Sequence, residues 1–450
     1  MLVKSKNVEM TSGSLFKNIW RFALPLMLTN VLQQLYSAAD TVVVGRYAGR
    51  IALAGVGSSS SITNMILSLL LGLSMGVSVV VGREMGAKND KNVSRIVHTA
   101  MAVALTGGAI VSLIGICFAE FFLSLIDVPT DVMPQAKIYM QIIFAGKIPA
   151  FIYNYGSAIL RAKGDSKRPL YIVTISGIMN VALNCFFVIV CGMQADGVAL
   201  ATVISQIFTA VSVVILLCRE NDATKLFFSK IKVHIKWLSQ LLRIGVPLGI
   251  QHMVFAFSNT IIHASVNSFE NAAMIAGSSA ASSIGNFYSS AMSAFASAAV
   301  TFTSQNIGAK KYERIKKIRF CCLADVVIVG VFIAALTAFA GKFLIGIYAP
   351  GDAETIKYGV IRLTITGYTI TTLGFMNVMS RMLLGCGWSV SSMIISVVGV
   401  CGFRIMWVLT IFEQIRRFDV LMLAMPVSWL GTTLIHFVFF NIAQKKLLKS

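Results

Sequence analysis

Few residues in this sequence could do chemistry inside an apolar setting, and Asp40 stands first among them. It sits within a long apolar stretch that begins near residue 15. An ionised carboxylate in such a helix costs at least about 2.5–3.5 kcal/mol on insertion scales. Such a group is either satisfied by a structural partner or works as an ion site, because it can load and unload a proton as its access to water changes. Gln33 and Tyr36 precede it at positions that share one helix face. Asn180 and Asn184 form a second polar pair, spaced i, i+4 and so on one side of their own helix. Thr202 lies on the next apolar segment.

Depth brings these residues together. Asp40 stands before Arg46, about 9 Å in from the end of its helix at about 1.5 Å per residue. By the same rise Asn184 is about 12 Å in from Gly192, and Thr202 about 9 Å in from Asp196. Three helices therefore offer carboxylate, amide and hydroxyl groups at similar levels. Their oxygens suit a hard cation such as Na⁺, and the carboxyl alone suits H⁺. Hydrogen bonding between helices is the other reading of the two amides.

The elements that position these residues follow from composition. The chain has 450 residues, of which 56% are hydrophobic and only 12% charged. A soluble domain carries about 25% charged residues, so a soluble enzyme and a disordered chain are both excluded. Transmembrane β-strands alternate over about ten residues, whereas unbroken runs such as 65–81 and 172–190 go on much further. An all-α polytopic membrane protein remains. Twelve apolar segments are expected, near 15–45, 52–82, 96–120, 133–160, 169–191, 195–218, 238–266, 272–305, 318–347, 354–384, 389–411 and 418–443. The first carries Gln33, Gln34 and Asp40 with no cleavage site after it, so it does not read as a signal peptide. The eight cysteines have neither metal-site nor disulfide spacing and read as small packing residues.

The net charge of +20 is unevenly placed. Alternate connections hold Lys4, Lys6, Lys17 and Arg21, then the groups 83–95, 161–168, 219–243 and 310–319, then Arg381 and the tail Lys445, Lys446 and Lys449. Together they carry 28 of the 38 basic residues and 7 of the 18 acids. The positive-inside rule places that side, and both termini, in the cytoplasm. The excess charge then faces lipid headgroups, and no nucleic-acid partner is needed.

The longest polar connection separates two halves that repeat. Ala23-Leu24-Pro25-Leu26 matches Gly245-Val246-Pro247-Leu248, and Gly86-Ala87-Lys88 matches Gly308-Ala309-Lys310, both at an offset of 222. This predicts an N-lobe at 1–218, a cytoplasmic linker at 219–237 and a C-lobe at 238–450, related by a parallel pseudo-two-fold as in transporters.

The phrases Phe22-Ala23-Leu24-Pro25, Tyr36-Ser37-Ala38-Ala39-Asp40-Thr41, Gly86-Ala87-Lys88, Leu160-Arg161-Ala162-Lys163-Gly164-Asp165-Ser166-Lys167 and Gly197-Val198-Ala199-Leu200-Ala201-Thr202 resemble the multidrug and toxic compound extrusion (MATE) family, most closely its prokaryotic DinF-like branch. The resemblance covers nearly the whole chain. It implies two six-helix lobes around a V-shaped central cavity, and antiport in which inward H⁺ or Na⁺ drives export of organic, often cationic, compounds. It also implies a cation site at Asp40, Asn180 and Thr202, cavity residues at Gln33, Tyr36, Asn154 and Gln206, and a bend of helix 1 at Pro25. Many relatives carry an acid where this chain has Asn184, which tilts the expectation towards H⁺. A multi-pass monomer of the bacterial inner membrane, working on a small organic substrate without a cofactor, is the expectation.

The second half offers no equivalent acid, since Asp40 maps to Ile262 and Asn180 to Gly402. Coupling is therefore expected in the first half alone, with His252 and His263 as packed or titrating side chains. Asp325, near a helix end, is expected to be hydrated or paired with lysine. Lys147, Arg362 and Arg404 are embedded without an evident partner. No Walker A loop is present to use ATP. The alternatives are a lipid-linked precursor flippase, a membrane enzyme, and a receptor or scaffold. Gly72-Leu73-Ser74-Met75-Gly76 has the letters of a hydrolase elbow but sits in an apolar helix, where small-residue packing is the expected role.

Overall fold

In the computed structural model, which describes residues 7–449, the chain is helical, with no strand among the described residues. Lys4 and Lys6 of the basic set lie outside that range. Among the described residues the long helices form twelve rods, six in each repeat, with a short helix at Ala119–Ser124 and a 3₁₀ turn at Phe228–Lys230 between rods. The first six are α1 (Leu15–Val43), α2 (Gly49–Gly86), α3 (Asp90–Cys117), α4 in two pieces (Met133–Ala145 and Lys147–Ala162), α5 (Lys167–Val190) and α6 (Ala195–Cys218). The second six are α7 (Ile235–Asn267), α8 (Ala272–Gly308), α9 (Tyr312–Tyr348), α10 in two pieces (Ala353–Tyr368 and Ile370–Gly385), α11 (Ser389–Phe412) and α12 (Phe418–Lys449).

Several rods outrun the apolar segments that announce them. Helix α3 starts at Asp90 rather than 96, because Asn89 caps it by accepting from the Asn92 N–H at 3.3 Å. Helix α9 likewise gains the charged turn from Tyr312. Among the described residues, eight helical runs are long and apolar enough to cross a membrane, one of them, Leu15–Gly86, holding both α1 and α2. The rods that fall short have physical reasons. Helices α4 and α10 are each interrupted, at Gly146 and Thr369. Helix α8 is rich in serine and buries side chains from Met274 to Asn306, as tight packing inside a membrane bundle favours.

The repeat survives in backbone detail. Lys88 and Lys310 adopt positive φ of 55° and 56°, and Gly164 and Gly387 of 95° and 91°. Gly164 has a second reason to be glycine. A Cβ there would lie 2.5 Å from the Val8 carbonyl, whose residue also donates its N–H to Gly164 O at 3.1 Å.

Packing divides the chain into two units, residues 31–249 with Val8, and residues 9–30 with 250–450. The division runs through α1 and α7 and not through the polar linker. The first half of α1 packs in the second unit, where Phe22 meets Phe302 edge-on at 5.9 Å and Asn30 donates to the Ser290 carbonyl at 3.2 Å. The first half of α7 packs in the first unit, against α2. The linker is docked there too. Thr99 of α3 donates to the Lys232 carbonyl at 3.3 Å, and His98 Nε2 accepts the Phe227 N–H at 3.1 Å.

Candidate functional site

Three rods of the first unit bring the predicted polar residues into one chain of contacts. Asn184, fully buried on α5, donates its Nδ2 to Asp40 Oδ1 on α1. The same amide lies 3.4 Å from Asn180 Oδ1, one turn away. Asn180 in turn points its Nδ2 at Thr202 Oγ1 of α6, 3.5 Å off, and Thr202 donates to the Val198 carbonyl at 3.0 Å. The i, i+4 spacing on α5 stacks the two amides, so one helix spans the gap between a carboxylate and a hydroxyl. Asn184 Oδ1 is buried and has no hydrogen-bond partner among the described residues.

An apolar floor holds the cluster. Val43, Val44, Ala52, Val188, Ala195 and Val198 are buried together at the ends of α1, α2, α5 and α6, with Tyr139 of α4 packed against them. Tyr139 also lies within electrostatic reach of the Asp40 carboxylate. Sequence reasoning passed over it, because a tyrosine on a mixed helix face looks like ordinary packing.

The four expected cavity residues are not gathered in the same way. Tyr36 packs its ring against Gly177, where a Cβ would come within 1.7 Å of it, and donates its hydroxyl to the Thr174 carbonyl at 3.3 Å. Gln33 is exposed. Asn154 bonds back to the Ala150 carbonyl of its own helix at 2.8 Å. Gln206 sits beside the break in α4, its Oε1 buried and without a partner next to Gly146. Lys147, which follows that break, is buried with its Nζ over the Phe144 ring at 5.7 Å.

Asp325 departs from expectation. It is fully buried, and its Oδ1 accepts the Trp20 indole N–H at 2.8 Å, with no lysine paired to it among the described residues. The motif that includes Lys163 is an ion-pair hub at the ends of α4, α5 and α6. Lys163 pairs with Glu220 and Asp222, and Arg168 with Asp165 and, at 2.6 Å, with Glu220. Among the described residues, no cluster of three His, Cys, Asp or Glu could hold a metal ion. For a cation, the fit rests on the Asp40 carboxylate and the neutral oxygens of Asn180, Asn184 and Thr202.

A twelve-rod helical chain, built of two repeats and with a carboxylate–amide cluster between its helices, is the architecture of a multi-pass membrane transporter. The MatE family model matches it twice, over residues 25–186 and 247–409, the starts 222 residues apart as the internal repeat requires. The chain belongs to this family of multidrug efflux transporters. It is 26% identical over 446 residues to the "Probable multidrug resistance protein YoeA" of Bacillus subtilis, covering 95% of each chain. It is 29% identical over 313 residues to "Probable multidrug resistance protein YpnP" of the same organism, covering 69% of each. Among solved structures, "Outward-facing conformation of a multidrug resistance MATE family transporter of the MOP superfamily" matches over 100% of both chains with a TM-score of 0.92 at 18% identity.

Proposed function

We propose that this protein is a secondary antiporter that exports organic, cationic or amphipathic compounds in exchange for H⁺ by alternating access. Asp40 is the coupling carboxyl, with Asn180, Asn184 and Thr202 as its companions, and Gln33, Tyr36, Asn154 and Gln206 are the residues through which substrate is handled. The carrying observation is the contact of Asp40 with Asn184 and, through it, with α5 and α6. Protonation of Asp40 removes the charge that Asn184 stabilises and so loosens a tie between helices, which links ion loading to helix position. Asn184 bonds to the carboxylate directly, and a single acid with amide and hydroxyl companions suits a titrating group. A Na⁺ cage on the same four residues would need their oxygens turned to the ion. The protein is placed in the bacterial inner membrane as a monomer with both termini cytoplasmic, needing no cofactor and performing no covalent chemistry.

The deciding measurement is export of a fluorescent cationic dye by everted vesicles with an imposed pH gradient. Asp40→Asn is expected to abolish gradient-driven export while still inserting. Export at the unaltered rate in that variant would remove the mechanism. Substrate-induced proton release from the purified protein, with and without sodium, separates H⁺ from Na⁺.

A further inference from the structure

The second unit contains a cavity of about 250 Å³ that plays no part in the coupling scheme. It lies among α7, α8, α10, α11 and α12, and its wall includes Arg362, Arg381 and Arg404. No Asp or Glu lines it among the described residues. The sequence marks Arg362 and Arg404 as embedded; the structure shows what surrounds them. They are only 4% and 3% exposed. Arg362 Nη1 donates to Ser278 Oγ. Arg404 Nη1 donates to Asn259 Oδ1 at 2.8 Å and to Ser258 Oγ at 3.3 Å, and its Nε to Ser428 Oγ at 3.3 Å. Every one of these acceptors is neutral.

Hydroxyl and amide oxygens satisfy guanidinium donors but leave the charge uncompensated. A buried, unpaired charge is expensive, and a guanidinium stays charged at neutral pH. Here two of them stand within electrostatic reach of each other, which compounds the cost. Arg381 lies 19 residues beyond Arg362, about 28 Å along α10 at about 1.5 Å per residue. It cannot share one small anion with Arg362. It contacts His252 Nε2 at 2.9 Å, while its Nη1 is buried and has no partner among the described residues. The cavity wall therefore carries three arginines, with Phe255, Met376 and Trp429 among its apolar side chains.

We infer that Arg362 and Arg404 bind the oxyanion group, carboxylate or phosphate, of an amphipathic organic anion whose apolar part lies against Phe255, Met376 and Trp429. The planar guanidinium fork matches such a group bidentately, and an anion between the two arginines cancels the charge that the serines and Asn259 leave standing. The site is separate from Asp40 and its occupancy does not depend on proton coupling.

The test uses the purified full chain in phosphatidylcholine nanodiscs, titrated calorimetrically with benzyl phosphate. Saturable binding is expected, with none for benzyl alcohol. Arg362→Gln and Arg404→Gln should each weaken binding at least tenfold, Arg362→Lys should restore part of it, and Asp40→Asn should leave it unchanged. Tryptophan emission should change on binding, and that change should vanish in Trp429→Phe. Competition by added phosphatidylglycerol would identify a lipid headgroup as the source of the anion, and its absence a soluble compound. Either supports the site. Unaltered affinity in folded Gln variants, or no saturable binding of either benzyl phosphate or phosphatidylglycerol, overturns it. If the Gln variants do not fold, an emission change that persists in Trp429→Phe overturns it.

Discussion

Gly72 of α2 stands so close to Gly249 of α7 that a Cβ on Gly72 would lie 2.2 Å from the Gly249 nitrogen. Gly76 and Gly245 continue the seam, a Cβ on Gly76 meeting the Leu241 carbonyl at 2.6 Å. Two helix backbones in such contact leave no room for a side chain, which is how small residues glue membrane helices. Ser74, between the two glycines, donates to the Leu71 carbonyl at 2.9 Å and is buried. Its hydroxyl is spent on its own helix. Gly72→Ala is therefore expected to cost about 3 kcal/mol, the upper end for overpacking, and to lower the melting temperature in detergent. Ser74→Ala should leave both melting and export intact. A nucleophilic role for Ser74 predicts the reverse order.

Asp325, fully buried, accepts the indole N–H of Trp20, 305 residues away, and its second oxygen, Oδ2, has no partner among the described residues. Trp20→Phe removes the only donor to the carboxylate among the described residues and should destabilise by about 1–3 kcal/mol, the cost of an unsatisfied buried polar group. Adding Asp325→Asn to that variant should recover part of the loss. Thermal unfolding of the four proteins of the cycle measures the coupling, and strictly additive effects would mean that the indole–carboxylate contact contributes nothing.

Where sequence reading succeeded, a helix had turned spacing into position. The nearly constant rise per residue, together with the family resemblance, grouped Asp40, Asn180, Asn184 and Thr202, and the structure joins them in one chain of contacts. The breaks in α4 and α10 were not legible, since Gly146 and Thr369 lie in otherwise apolar surroundings and glycine is common in membrane helices. Partners chosen across the fold were not legible either. Asp325 looked like a helix-end acid awaiting a lysine, and only the packing of the first half of α1 in the second unit supplies the indole. Arg362 and Arg404 were visible as embedded charges, but their neutral surroundings appear only when α7, α8, α10, α11 and α12 close around them.

Asp222 beyond α6 carries a pH prediction. Burial opposes its charge, but Lys163 and the hydrogen bonds from Thr224 outweigh it and hold the carboxyl below the ordinary range. A depressed folded-state value adds stability above the unfolded pKa of about 3.9 and gives it up as pH falls towards the folded value. The Asp222 carboxyl is 42% exposed, so the gain is small and sensitive to salt. Asp222→Asn should melt slightly lower than the unaltered protein at pH 7, the gap closing below about pH 4. A gap that stays constant between pH 7 and 3 would assign the effect to hydrogen bonding rather than charge.

Pro25 interrupts the ladder of α1, and the hydroxyl of Thr29 bonds to the Pro25 carbonyl at 2.8 Å. A helix missing one donor bends more easily there. Pro25→Ala is expected to leave insertion and melting intact or slightly improved while lowering gradient-driven export severalfold. Unchanged export in vesicles would separate helix bending from transport.

Asn184→Asp tests the cluster from the other side. It replaces the amide that donates to Asp40 with a second acid at hydrogen-bonding distance. Two carboxylates so close cannot both stay charged without a cation between them, so they must share a proton or recruit a metal ion. With the oxygens of Asn180 and Thr202 at hand, the variant should show export stimulated by sodium at constant pH, and the unaltered protein should show none. Its proton-driven export should shift to higher pH, because the shared proton is held more tightly. Dye efflux from everted vesicles across pH 6–9, in sodium and in potassium buffers, reads both effects. If the variant matches the unaltered protein in both buffers, Asn184 does not govern the ion at Asp40, and the contact between them is structural.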